Sequence, residues 1–293
     1  MDVKYSISPL QLFFFVFACV FSGLFLYGDK NAITVLTVCA LSASFCYAAS
    51  AISFGMSSSK ALYGAYFGRS APIVLALSLA FVAFGVASSL SVFSDAVCDY
   101  YKNANKGIVF FFCVFLCVFA VRKSFCAAAR FAQISVFAAI AIFLLCLLGK
   151  GGELSLSFSA QNVPSVLGAI PAIPVIFSLY LRTVSKEKMS DFAKYGGLQP
   201  SKAVCGVVAS LSAGVFYLFI CAMGADRGIL LNIFAYFLCI SHFFAYAVSA
   251  VDILGIPESQ KEKVPKKAML FAVLCAAAVI IRNDWVEFLA VFM

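Results

Sequence analysis

The sequence predicts an all-α protein, a polytopic bundle of transmembrane helices, on three observations. The 293 residues are 64% hydrophobic and only 12% charged, whereas a soluble domain is about half apolar and about a quarter charged. The apolar residues fall in runs of roughly 17–25, the length that crosses a hydrocarbon core as a helix. The charges sit in short loops between these runs and are divided unevenly between the two sides. A water-soluble fold has no means of hiding this much apolar surface, so lipid is the expected solvent. The net charge of +8 does not point to nucleic acid, because the basic residues are dispersed over loops rather than gathered on one face.

Taken in order, the runs predict nine spans, at 9–27, 32–54, 71–94, 107–121, 130–148, 163–181, 202–224, 229–253 and 267–281. A last apolar piece, 285–293, carries Glu287 and is too short to span, which predicts an interfacial stub or a stunted tenth helix. No small-residue cleavage site follows the first run, so an uncleaved first span is expected. The loops 55–70, 95–106, 149–162, 182–201 and 255–266 are too short to bury a core, so residues 1–293 are expected to form one membrane domain. The 33 Phe residues suit lipid-facing helix surfaces.

Sidedness follows from the cations. With the N-terminus on one side, that side collects 15 of the 21 Lys and Arg residues and the other side 6. The richer side includes Lys60, Arg69, Arg122, Arg130, Arg182, Lys202 and Lys261. The positive-inside rule makes it cytoplasmic and places the N-terminus there.

The 12 cysteines lie almost all inside apolar runs, where they act as small hydrophobes. No paired C-x-x-C motif is present, so no metal site is expected, and no cofactor either. One histidine, no G-x-S-x-G and no phosphate-cradling glycine loop argue against an enzyme.

Chemistry in such a chain is expected within the bundle. The sixth span carries Pro164, Gly168, Pro171 and Pro174. These residues free backbone groups that a continuous helix would pair, and in a membrane freed groups need a protein partner or a water-lined cavity. A binding break and a proline-kinked packing helix both fit. Ser22-Gly23 is a milder weak point in the first span, or a small-residue packing contact. The third span carries Gly85, Ser88, Ser89 and Ser91, and small hydroxyls both pack helices and line cavities. The eighth span holds the only histidine, His242, with Ser241, Tyr246, Ser249 and Asp252. His242 is a candidate functional group or a neutral, hydrogen-bonded core residue. Asp252 is expected near the cytoplasmic end, solvated. The basic loop 182–202 is expected to fix topology, with anionic lipid or a partner as further contacts.

Two stretches carry a resemblance to a known family. Ser6-Ile7-Ser8-Pro9-Leu10-Gln11 resembles the opening I-S-x-x-Q segment of the spore germination permeases, the B-subunits of germinant receptors. The stretch from Phe119 to Ile134, with Arg130 opening the fifth span, resembles that family's link between spans four and five. The loop from Lys60 to Arg69 is similar to its approach to span three. The segment from Asn232 to Asp252 also resembles the aromatic amino acid permeases. Both groups belong to the amino acid–polyamine–organocation transporter superfamily. The resemblance implies a LeuT-like 5+5 inverted repeat, here with a stunted tenth helix, in which the first and sixth spans correspond. The family's glycine-rich break in span one is reduced here to Ser22-Gly23.

The resemblance implies an amino acid bound between the broken parts of spans one and six, against spans three and eight. The residues it points to are Ser22, Gly23, Ser89, Gly168 and Ala169, with Ser241 and His242 further out. It implies a role in germinant sensing in the bacterial cell membrane or spore inner membrane, beside partner receptor subunits. A secondary transporter of aromatic or neutral amino acids is the alternative, and a scaffold subunit that binds nothing is a third.

Overall fold

Helix α1 starts at a capping box. Ser8 Oγ accepts from the Gln11 amide (3.2 Å) and Gln11 Oε1 accepts from the Ser8 amide (3.0 Å), with Pro9 at the first helical position. This reciprocal pairing satisfies amides that the first turn leaves open. It also gives the Ser-x-x-Gln motif a local physical reason independent of any relative.

The computed structural model describes residues 7–27, 31–53, 56, 58–102, 104–123, 125–148, 166, 169–183, 200–222 and 229–254. Its helices are α1 (Pro9–Tyr27), α2 (Ala32–Ile52), α3 (Ser59–Phe67), α4 (Ala71–Tyr100), α5 (Lys106–Lys123), α6 (Phe125–Leu148), α7 (Ile173–Arg182), α8 (Pro200–Ala222) and α9 (Ile229–Ile253). A 3₁₀ turn, Gly68–Ser70, joins α3 to α4. The described residues contain no strand; Ile7 and Thr183 form an isolated bridge. Six stretches among them are long and apolar enough to cross a membrane: Pro9–Tyr27, Ala32–Ile52, Ser59–Tyr100, Phe125–Leu145, Ser201–Ala222 and Ala235–Ile253. They match the expected spans one, two, three, five, seven and eight. The expected ninth span 267–281 and the stub 285–293 lie outside the described residues.

Three local expectations change. The loop 55–70 contains helix α3, capped by Ser58, whose Oγ accepts from the Ala61 amide. Span three continues to Tyr100, well past residue 94, because Ser91, Ser94, Asp95 and Asp99 do not end a helix as Gly or Pro would. The Phe residues do not all face outward. Phe15, Phe17, Phe21, Phe216 and Phe243 are core, whereas Phe81, Phe111, Phe115 and Phe137 are exposed. In lipid, packing rather than polarity decides which face of an apolar helix turns inward.

Helices α1 and α9 are the most enclosed of the spanning helices. α8 packs along α1 and α2, while α9 packs along α6, α1, α4, α5 and α7. Phe21 of α1 stacks on Phe17 and Phe25 and meets Phe216 and Tyr217 of α8.

The hydrogen bonds at the two ends establish the up-and-down order. At one end the Ile7 amide donates to the Arg182 carbonyl (2.9 Å), Ser59 Oγ reaches Asp252, and Lys202 Nζ donates to the Tyr180 carbonyl (3.0 Å). At the other end Tyr27 Oη donates to Ser88 Oγ (3.0 Å), Tyr236 Oη to the Ala96 carbonyl (3.2 Å), and Lys106 pairs with Asp95. The first group joins the chain ends assigned to the basic side, and the second joins those assigned to the other.

Candidate functional site

The sixth span is interrupted. The Ile170 amide still donates to the Val166 carbonyl (3.3 Å), but Pro171 and Ala172 leave helical form. Continuous helix resumes at Ile173, with Pro174 in its first turn. Ala172 then caps the new helix, its carbonyl accepting from Val175 (2.9 Å) and Ile176 (3.2 Å). The ten residues of α7 rise about 15 Å, roughly half a hydrocarbon core.

The freed Ala172 amide donates to Tyr246 Oη of α9 at 2.9 Å. A buried backbone donor without a partner costs about 1–3 kcal/mol, and the phenol meets that need. The Tyr246 ring lies 4.4 Å from the His242 ring, centroid to centroid. A side chain at Gly85 of α4 would strike the Tyr246 ring, so the glycine makes room for it.

Gly23 lies directly on the same break. A Cβ there would collide with the Ala169 carbonyl and its backbone neighbours. The two weak points singled out in spans one and six therefore meet. α1 itself is not broken: it runs as one helix through Ser22 and Gly23. A lone glycine lowers helix propensity by about 1 kcal/mol, too little to open a helix packed on nearly every face. Its role is the close approach.

Ser22 is fully buried, and its Oγ has no hydrogen-bond partner among the described residues; the Cys239 thiol of α9 is a polar neighbour. His242 is also buried. Its Nε2 is 3.4 Å from Ser89 Oγ of α4, and Tyr27 Oη lies 3.4 Å from the same oxygen. His242 Nδ1 makes no hydrogen bond among the described residues, with the Cys19 backbone of α1 beside the ring. Among the described residues no carboxylate bonds that nitrogen. Ser241 is buried but turns its hydroxyl to the Phe237 carbonyl of its own helix (3.3 Å). Gly168 lies outside the described residues.

The structure thus brings Ser22, Gly23, Ser89, Ala169 and His242 together and leaves Ser241 bonded within its helix. Tyr246 and Tyr27 are the members missing from the sequence-derived set. Tyr246 had a signal, since it stands four residues after His242 and so shares its helix face. His242 is ten residues from Asp252 along α9, about 15 Å, which places the site near the middle of the bundle.

Asp252 is not solvated. It is 2% exposed, and Oδ2 accepts from Ser59 (2.5 Å) and Ser178 (2.8 Å). Oδ1 takes Arg182 Nε at 2.7 Å and Nη2 at 2.6 Å. Three elements, α3, α7 and α9, are thereby clasped at one end. Arg182 and Lys202 have specific partners here, beyond any topological role; Lys186, Lys188 and Lys194 lie outside the described residues.

Chemically, the site offers a freed amide, the hydroxyls of Ser22, Ser89, Tyr27 and Tyr246, an imidazole and apolar walls. Among the described residues it holds no charged group beside the break. The fold and site define the class: an all-helical integral membrane protein whose buried polar centre is built around an interrupted span. No protein-family model matches the chain, and no curated protein matches it.

Proposed function

We propose that the chain is a permease-like membrane protein of LeuT-like 5+5 plan, in the amino acid–polyamine–organocation superfamily, that binds an amino acid at the break in the sixth span. One observation carries the reading: the Ala172 amide, released by the break, is held by a side chain and not by its own helix. An amide at the start of a half-helix, backed by the helix dipole, is a ready partner for a carboxylate. Tyr246 stands where that carboxylate would come. Ser22 Oγ and His242 Nδ1 are buried with only weak polar neighbours among the described residues, the Cys239 thiol and the Cys19 backbone, and a small polar ligand would bond them better. The neutral surroundings suit a zwitterion of no net charge.

The resemblance to the germination permeases makes germinant sensing the proposed role. The protein then sits in the bacterial cell membrane or the spore inner membrane, N-terminus cytoplasmic, beside germinant-receptor partner subunits. A secondary transporter is the second reading. It is favoured by the clasp of Ser59, Ser178 and Arg182 on Asp252, a set of polar contacts at one end that alternating access would break and remake.

The test is a thermal-shift panel of the 20 common amino acids on protein purified in detergent, followed by uptake in proteoliposomes. The sensing reading expects a saturable shift for at least one amino acid and no flux. Flux of that amino acid supports the transporter. No shift for any of them refutes both and leaves the scaffold.

A further inference from the structure

α3 is a nine-residue helix, too short to span. It turns Ser59, Leu62 and Tyr63 inward and leaves Lys60, Tyr66 and Phe67 exposed. Lys beside exposed aromatic residues is the composition of the membrane interface. Between α3, the first half of α4 and the start of α7 lies an open groove of about 470 Å³, within the size range of small-molecule sites. Its wall is aromatic and aliphatic, with Tyr66 and Phe67 from α3, Leu77 and Phe81 from α4, and Ile173 and Phe177 from α7. The polar atoms on it face each other, Ser78 Oγ donating to Tyr63 Oη at 3.1 Å, so the groove offers an occupant apolar surface. Phe81 stands ten residues into α4, about 15 Å along it. The groove therefore runs from the level of α3 to about mid-membrane.

The cations give the occupant its other half. Lys60 is one turn before Tyr63, and Arg69 is two residues after Phe67, so basic groups flank the aromatic wall. Both are exposed, and neither is in an ion pair among the described residues. The exposed apolar face on α5, with Ile108, Phe111 and Phe115, differs: its neighbouring Lys106 is paired with Asp95. We infer that the α3–α4–α7 groove is a binding site for one anionic phospholipid, an acyl chain lying along Phe67, Leu77, Phe81 and Phe177 and the headgroup phosphate at the level of α3, drawn by the charges of Lys60 and Arg69 at the two ends of that helix. The site is independent of the amino acid reading.

Native mass spectrometry tests it on the full chain, after exchange into equal amounts of phosphatidylglycerol and phosphatidylcholine with identical acyl chains. Each basic residue near an anionic surface favours binding about fivefold, so two give a preference of about 30-fold for one retained phosphatidylglycerol. Lys60→Gln with Arg69→Gln brings the ratio close to one. Leu77→Trp, at a residue 66% exposed, fills the groove without entering the core and lowers retention of both lipids. Equal retention of the two lipids by the unaltered protein overturns the proposal, as does a preference that survives in the double variant. A photo-crosslinking benzoylphenylalanine at Tyr66 is expected to capture lipid. Capture of residues 267–281 of the same chain instead also overturns it.

Discussion

Replacing Asp252 by Asn keeps the shape of the side chain and removes its charge. The carboxylate accepts from two serines and two nitrogens of Arg182. An amide has one acceptor oxygen for those donors and turns its own NH₂ toward one pair of them. Breaking a buried ion pair from one side costs about 3–5 kcal/mol, because the remaining charge is stranded. Arg182 keeps 16% of its side chain exposed, which favours the lower end, about 3 kcal/mol. At about 2 °C per kcal/mol for a chain of this size, Asp252→Asn lowers the apparent unfolding midpoint by about 6 °C in detergent. Arg182→Met alone has a similar effect. Together they cost less than their sum, since removing both partners of a buried pair is far milder than removing one. Intrinsic fluorescence or light scattering during a thermal ramp reads all four proteins. Single variants within about 1 °C of the parent, or a strictly additive double variant, would refute the clasp.

Tyr246→Phe keeps the ring against Gly85 and His242 but strands the Ala172 amide; a loss of about 1–3 kcal/mol is expected, read in the same thermal ramp. Gly23→Leu drives a side chain into the Ala169 backbone and is expected to cost more than the about 1–3 kcal/mol of ordinary overpacking, because backbone cannot rotate away. Gly64→Ala, where a Cβ meets nothing within 4 Å, is expected to stabilise α3 by up to about 1 kcal/mol; size-exclusion profiles and midpoints distinguish the two glycines.

The span positions were legible because lipid imposes a length on apolar runs, and α1 and α9 keep the bounds expected from hydropathy alone. The interruption of span six was legible because proline has one mechanical meaning inside a helix. Ser22-Gly23 stayed open between a weak point and a packing contact because glycine has two meanings, loosened helix and close approach, and the position of Ala169 decides for close approach. Asp252 was misplaced because its partners, Ser59, Ser178 and Arg182, are distant in sequence, while its position at a helix end suggested water. Helix α3 was hidden by Gly64 and Gly68, which read as loop residues, and by being too short to show a hydrophobic period. Tyr246 was overlooked as a site residue because its role exists only through a backbone amide on another helix, which sequence does not display.

The proposed amino acid site lies at the break at Ile170–Ala172. Its most direct test is labelling of Ala172→Cys by a water-soluble maleimide, read by peptide mass mapping so that the native cysteines do not interfere. Labelling is expected in the free protein, with protection by the same amino acid that raises the unfolding midpoint of the parent. No labelling of residue 172 under either condition, with no amino acid shifting the midpoint, would contradict it.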